Sequence, residues 1–335
     1  MMGRAGNGTG EGRGEGNGKG EGWGATAGER NGRDGSPQVV VVGAAARDIA
    51  PDDPRGWRLG GGVAYSALTT ARLGLATGAI VGVDREAATA DELDLLRDAG
   101  VDVRIVPLER SPVFDNVETP EGRIQLGHVP SDPLPTDAVP DDWRAAPAWI
   151  LAAVADELPA AWADVPSRTA LVGAGWQGLL REVIGGERVR RRAPGPSPII
   201  APADVVGVSR DDLGPDAPVR ELCRFLHRDA TLVLTQGDQG GLVMSAGPDG
   251  ATAMYRYPAI PSAGIVDPTG AGDVFLAALV AARAEPRLVG GRLGQRFDLR
   301  LAAAVASLVL EDRGLLGVPD RSAVRRRMAP GRRVV

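Results

Sequence analysis

Runs of apolar residues broken by glycine set the pattern of this chain. Val39-Val40-Val41-Val42-Gly43 is a continuous β-branched run, which suits a strand buried on both faces. After Gly60-Gly61-Gly62, the small residues from Ala64 to Leu73 predict a helix that Gly74 stops. Ala79 to Val83 predicts a second buried strand, and Ala90 to Ala99 a helix ended by Gly100. Strand candidates recur at Trp149 to Ala153, Ala170 to Val172, Ile199-Ile200, Val205-Val206 and Thr231 to Thr235. Gly178 to Ile184 predicts a short helix, and Val274 to Arg283 and Leu299 to Leu310 predict long ones. Strands alternating with helices imply an α/β fold whose mostly parallel sheet is covered on both faces.

Three stretches depart from that alternation. Val103 to Leu126 carries short alternating runs around the turn Pro120-Glu121-Gly122, the chemistry of a half-exposed hairpin inserted into the α/β chain. Residues 1–36 alternate glycine with polar or charged residues, as in Gly10-Glu11-Gly12-Arg13-Gly14. Such a segment buries too little apolar surface to offset its ordering entropy, and a disordered tail is expected. The arginines at 325–327 and 332–333 are expected in a solvated basic tail from residue 326 to 335, with an acidic partner as the alternative. The folded domain is thus expected over residues 37–325.

Composition narrows the chemistry. A net charge of −5 with only 4% aromatic residues supplies neither the field nor the stacking surface that nucleic acid needs. One cysteine, Cys223, and two histidines, His128 and His227, leave no disulfide framework, cysteine zinc site or multi-histidine centre. No run of about 18 apolar residues suggests a membrane span, and the N-terminus lacks the apolar core of a secretory signal. A cytoplasmic protein is expected.

The strongest local signal is Asp267-Pro268-Thr269-Gly270-Ala271-Gly272-Asp273, followed by the apolar helix from Val274. Pro268 ends any strand, and the small residues at 270–272 let a ligand approach the backbone. Amides at a helix start point outward with partial positive charge and can hold a phosphate. A carboxylate beside them can accept a hydroxyl proton, and positioning with charge stabilisation is what phosphoryl transfer requires. Equally, Asp273 can be a helix cap. The run Thr235-Gln236-Gly237-Asp238-Gln239-Gly240 reads either as a tight turn between strands or as a glycine loop exposing amides to phosphate.

These segments resemble the PfkB, or ribokinase-like, carbohydrate kinases along residues 38 to about 325. Residues 267–278 resemble the family's C-terminal signature. The resemblance implies that Asp273 is the catalytic base and that Gly270, Ala271 and Gly272 form the anion hole. It implies that Thr235, Gly237 and Gly240 contact ATP, and that Asp48, Gly60 and Gly61 bind the acceptor. It also implies a ribokinase-like three-layer fold with a small β lid, expected mainly at about 103–127. ATP and Mg²⁺ are the implied cofactors, with a monovalent cation near Asp267 and Thr269, and a homodimer is a family option. The implied activity is transfer of the ATP γ-phosphate to a hydroxyl of a sugar or sugar-like molecule. A nucleoside kinase and a non-catalytic sugar- or nucleotide-binding regulator are the alternatives.

Two features depart from the family pattern, and a third points to a subgroup. Where the family has Asn-x-x-Glu for the magnesium water shell, this chain has Ser209-Arg210-Asp211-Asp212, so Asp212, or Asp211 beside it, is the indirect metal candidate. Tyr65 stands where many members place a sugar-binding asparagine, and it reads as a substrate contact or as packing. Gln177-Gly178-Leu179-Leu180-Arg181 resembles an element of inositol-kinase-like members, with Arg181 either a phosphate partner or a surface helix residue. The run Gly173-Ala174-Gly175-Trp176-Gln177-Gly178 also matches a dinucleotide fingerprint. The helix after it is cut short at Gly185-Gly186, and no acidic residue closes a next strand about 20 residues on. A P-loop pattern is absent.

Overall fold

The valine run from Val39 is an interior strand of a nine-stranded sheet, third from one edge. The computed structural model describes residues 35–119, 122–214, 217–246, 252–290 and 296–329. The glycine-rich segment before residue 35, the turn residues Pro120 and Glu121, and the last arginines, Arg332 and Arg333, lie outside the described residues.

Val39–Ala44 forms β1, wholly buried, and Ala46–Ile49 (β2) pairs antiparallel with Trp57–Gly60 (β3). Helix α1 runs Gly62–Arg72, β4 is Thr77–Val83, α2 is Asp91–Asp98 and β5 is Asp102–Pro107. Val113–Thr119 (β6) and Gly122–Val129 (β7) form the expected hairpin. Ala148–Leu151 (β8) and Leu171–Gly175 (β9) return to the main sheet. Three two-residue strands follow: Arg181–Glu182 (β10), Glu187–Arg188 (β11) and Arg190–Arg191 (β12). Then come Val205–Ser209 (β13), the single-turn helix Arg210–Leu213 (α3), Thr231–Thr235 (β14), Gly241–Ala246 (β15) and Thr252–Tyr257 (β16). Helices Ala271–Ala284 (α4), Phe297–Val309 (α5) and Arg321–Met328 (α6) complete the fold.

The sheet order is β16-β15-β14-β13-β9-β8-β1-β4-β5. Strands from β14 through β5 are parallel, and β15 and β16 add an antiparallel edge. Alternation along β1 divides the core. Val39 and Val41 pack with Leu68 of α1, Leu279 of α4 and Val305 of α5. Val40 and Val42 face a second cluster containing Trp143, Trp149, Trp162 and Trp176. That face is covered by short 3₁₀ turns, such as Ala160–Asp164 and Val219–Phe225, rather than by the helices expected there. Large rings span the gap that helices would otherwise fill.

A second, five-stranded sheet has the order β11-β7-β6-β2-β3. The small β layer therefore exists, but its boundaries differ from the expected 103–127. Val103 to Val106 belongs to the edge of the main sheet, and β2, β3 and β11 join the hairpin. Strands far apart in sequence pair here, which no local pattern announces. Ile199 and Ile200 are a buried turn instead of a strand. Their N–H groups donate to Ser197 Oγ at 3.3 and 3.4 Å, and Pro198 and Pro202 flank them. The expected helix at 178–184 is one 3₁₀ turn, Gln177–Leu180, running into β10. The end expected as a tail from residue 326 is helical through Met328. Arg327 donates there to Pro261 O at 3.0 Å and Ser307 Oγ at 2.8 Å, and pairs with Glu311 at 2.6 Å.

Candidate active site

The chain leaves β1 toward β4 and β5 on one side, then returns to build β8, β9, β13 and β14 on the other. The β1/β8 boundary is therefore the topological switch point, where a crevice opens beyond the strand carboxyl ends. Three glycine or alanine positions let the backbone close in. A Cβ on Gly43, in β1, would lie 2.5 Å from Ala152 O, just past β8. One on Gly62, opening α1, would lie 3.0 Å from Asp273 Oδ1 and 3.2 Å from Ala152 O. Asp273 thus stands directly over the switch point.

Asp273 is the third residue of α4, whose N-cap is Gly270 in the left-handed region at φ 78° with no side-chain capping bond. A cap role for Asp273 is therefore corrected: the carboxyl accepts no hydrogen bond among the described residues. The N–H groups of Gly272 and Asp273 also have no backbone acceptor among the described residues, as expected of a first helical turn. As first-turn amides they point past the helix start. Burial pushes the Asp273 carboxyl up to about 6, Asp212 adds to the rise, and Arg181 opposes it. Such a group is ionised at neutral pH yet holds a proton well enough to act as a base.

The loop before α4 is braced by Asp267. Its two oxygens accept from Thr269 N at 2.9 Å and Gly314 N at 3.0 Å. Tyr65 is 2% exposed, and a Cβ on Gly270 would overlap its ring. The ring supports the loop from beneath, so of the two readings of Tyr65 the structure shows packing. Across the sheet, Gly237 and Gly240 adopt φ 56° and 78°, and Gln236 N donates to Gly240 O at 2.8 Å. The turn after β14, with Thr235 at its start, thus opens at the same carboxyl edge as Ser209 of β13.

Arg181 is the site's half-buried cation. Its guanidinium lies 3.8 Å from Asp212 Oδ1, with side-chain exposures of 15% and 11%, and 5.9 Å from the Phe114 ring of β6. Burial weakens its hold on the proton, while the charges of Asp212, Asp273 and Asp48 strengthen it. The surface-helix reading of Arg181 is thereby overturned.

Asp212 is already engaged. Gln177 Nε2 donates to its Oδ1 at 3.1 Å, Ser209 N donates to its Oδ2 at 3.3 Å, and Ser209 and Asp212 form a capping box on α3. Asp211 is exposed. Among the described residues no cluster of three acidic, histidine or cysteine side chains can chelate a metal. The residues present do not fit a protein-held magnesium site at Asp212.

The small sheet brings Asp48 and its neighbours to this crevice. Asn116 Nδ2 of β6 approaches Asp48 Oδ1 of β2 at 3.5 Å, and Gln125 Nε2 of β7 donates to Asn116 Oδ1 at 3.0 Å. A Cβ on Gly60 would lie 2.5 Å from Asp48 Oδ2, so a side chain there would push the carboxylate aside. Gly61, at φ 92°, crosses Ala44 O and Ala46 N at 2.9 Å from its would-be Cβ. Asn116 and Gln125 were not legible in sequence, because cross-strand partners need the register. Glu157 was missed for the same reason. It is 1% exposed and accepts from Ala44 N at 3.0 Å, Val154 N at 3.0 Å and Ala155 N at 2.7 Å. It ties the end of β1 to the loop after β8, across the switch point. The fingerprint-like Gly178 is explained by packing, since a Cβ there would overlap Ala153 O.

Comparison with known proteins agrees with this geometry. Residues 214–320 match the family model described as pfkB family carbohydrate kinase, a stretch that includes the Asp267–Asp273 loop. A comparison with curated protein sequences gives no match. Among solved structures, the chain is similar to a pyrophosphate-dependent kinase in the ribokinase family complexed with a pyrophosphate analog and myo-inositol. The identity is 21% and the TM-score 0.66, covering 86% of this chain and 99% of that one. It is also similar to Arabidopsis thaliana ribokinase complexed with ribose and ATP, at 19% identity and TM-score 0.62, covering 88% and 99%. The nucleoside kinase of Methanocaldococcus jannaschii superposes at 16% identity and TM-score 0.59, covering 87% and 97%. These likenesses establish the ribokinase-like fold.

Proposed function

We propose that this chain, a pfkB family carbohydrate kinase, transfers the γ-phosphoryl group of ATP to a hydroxyl of a sugar or sugar-like polyol. The observation that carries the reading is Asp273, a carboxyl without a hydrogen-bond partner among the described residues, set over the switch point beside the first-turn N–H groups of α4. A base and an anion cradle share one helical turn there, as phosphoryl transfer requires.

In this reading Asp48, steadied by Asn116 and Gln125, takes acceptor hydroxyls as paired hydrogen bonds. The attacking hydroxyl gives its proton to Asp273 while its oxygen bonds to phosphorus. The bond from phosphorus to the bridging oxygen breaks, and the diphosphate product leaves. The N–H groups at 270–272 and the Arg181 guanidinium hold the transferring group, and the Thr235–Gly240 turn holds the rest of the donor. Asp267 and Thr269 shape the cradle. A monovalent cation near them would reinforce it. Magnesium, when bound, would be held chiefly by donor phosphates and water and would neutralise their charge. The small sheet excludes water. ATP as donor places the work in the cytoplasm. No described helix is long and apolar enough to cross a membrane.

A second donor reading is favoured by one observation, the similarity to a pyrophosphate-dependent kinase. The test is turnover with ATP and with pyrophosphate against panels of sugars, inositols and nucleosides, for wild type and Asp273→Asn. Acceptor-dependent turnover lost in the variant supports the reading and names donor and acceptor. Binding without turnover for every pair overturns it in favour of a non-catalytic regulator, and turnover with nucleosides alone moves it to a nucleoside kinase.

A further inference from the structure

A buried guanidinium needs a fixed partner, or it is free to turn away from the ligand it serves. Arg181 sits at the start of a two-residue strand, β10, that follows a single 3₁₀ turn and pairs antiparallel with β12, so its backbone is fixed while its long side chain still has rotamers to choose from. The side chain is positioned from outside. On one side lies the Phe114 ring of the small sheet, 5.9 Å away. On the other lies Asp212, 3.8 Å away. Asp212 is itself held at both oxygens, by Gln177 Nε2 and Ser209 N. Gln177 and Arg181 flank one 3₁₀ turn, so both ends of that turn converge on one carboxylate.

We infer that Asp212 is the positioning residue for Arg181, holding its guanidinium toward the phosphate cradle, and is not a member of a magnesium shell. The inference rests on the kinase reading for what the cradle holds, but its geometry stands without it. Both Asp212 oxygens are occupied by protein donors, and its charge is matched by a nearly buried cation. Those donors orient the carboxylate toward Gln177 and Ser209.

The sign of one measurement separates the alternatives. A carboxylate that merely lies near an anion repels it, so removing its charge tightens anion binding. A carboxylate that holds the cation in place does the opposite. The probe is inorganic pyrophosphate with EDTA present, titrated by calorimetry into the full chain. Wild type is expected to bind. Asp212→Asn is expected to weaken binding about tenfold, and Arg181→Met at least as much. The double variant is expected to be no weaker than Arg181→Met, since the two act as one unit. Asp212→Glu is expected to restore part of the loss. Ser209→Ala, which breaks the capping box but keeps the pair, is expected to bind like wild type and so controls for local folding.

Asp212→Asn binding as tightly as wild type, or tighter, overturns the inference, as do losses that add in the double variant. A wild type that does not bind pyrophosphate without metal also overturns it. In a parallel turnover assay, Asp212→Asn is expected to leave the Mg²⁺ activation midpoint unchanged while kcat falls. A midpoint moved several-fold to higher Mg²⁺, with metal-free binding intact, assigns Asp212 to the metal instead. Wild type that binds pyrophosphate yet turns over no acceptor sinks the kinase reading alone.

Discussion

Asp273 Oδ1 lies 3.0 Å from the point where a side chain on Gly62 would begin. The start of α1 and the start of α4 therefore meet at the carboxyl that we assign as the base. Gly62→Ala adds a methyl that Ala152 O, at 3.2 Å, blocks on its other side. Alanine favours the helix itself, so the expected outcome is a folded protein with unchanged melting temperature. The kcat is expected to fall about tenfold or more, because misplacing a reacting group by a fraction of an ångström is costly. Steady-state kinetics with circular dichroism checks it.

Asp273→Asn is expected to lower kcat about 10²–10⁴-fold with donor affinity retained, which is the usual worth of a general base. It is also expected to stabilise the fold. The folded carboxyl is raised from 3.8 to about 6, so the native state binds the proton more tightly than the unfolded chain. The stability this contributes is present below pH 3.8 and is lost as pH rises through 6. At pH 7.5 the ionised group costs stability, and the amide removes that cost. Because the side chain is partly exposed, the gain is on the order of 1 kcal/mol. Thermal melts of both proteins at pH 7.5 check the sign.

The acid limb of the rate follows the same group. The kcat/KM of wild type is expected to fall with pH below about 6, where Asp273 becomes protonated. Arg181 opposes that protonation, so Arg181→Met is expected to move the limb to higher pH. Rates measured between pH 5 and 8 check both statements.

Asn116→Leu removes the amide that joins Asp48 to Gln125. The acceptor KM is expected to rise about tenfold while the donor KM is unchanged, the worth of about one hydrogen bond to a charged group. Equal changes in both constants would assign Asn116 to the fold of the small sheet instead.

Glu157→Gln keeps the shape of a side chain that accepts from Ala44, Val154 and Ala155. One acceptor oxygen becomes an amide nitrogen facing N–H groups. The expected cost is about 2–3 kcal/mol, from buried donors left unpaired. Denaturant unfolding of the variant checks it.

The parts of the site carried by one continuous segment were legible before the fold. Gly270 to Asp273 announce a helix start with small residues and a carboxylate, and the structure puts them where that pattern implies. Val39 to Val42 announce a strand buried on both faces for the same reason, since a valine run has no polar face to expose. Tyr65 and Asp212 were legible as positions but not as roles. Whether a ring binds sugar or supports Gly270, and whether a carboxylate meets metal or arginine, depends on residues 205 and 31 positions distant in sequence.

The local pattern of residues alone determined the α/β class and the glycine loop that opens α4, because period, glycine placement and helix starts are short-range properties. Tertiary structure alone decided the β1/β8 switch point, the five-stranded sheet assembled from β2, β3, β6, β7 and β11, and the convergence of Asp212, Asp273 and Asp48 on Arg181. Each of these joins segments whose proximity is set by strand register and by which side of β1 the chain takes, and a linear pattern carries neither.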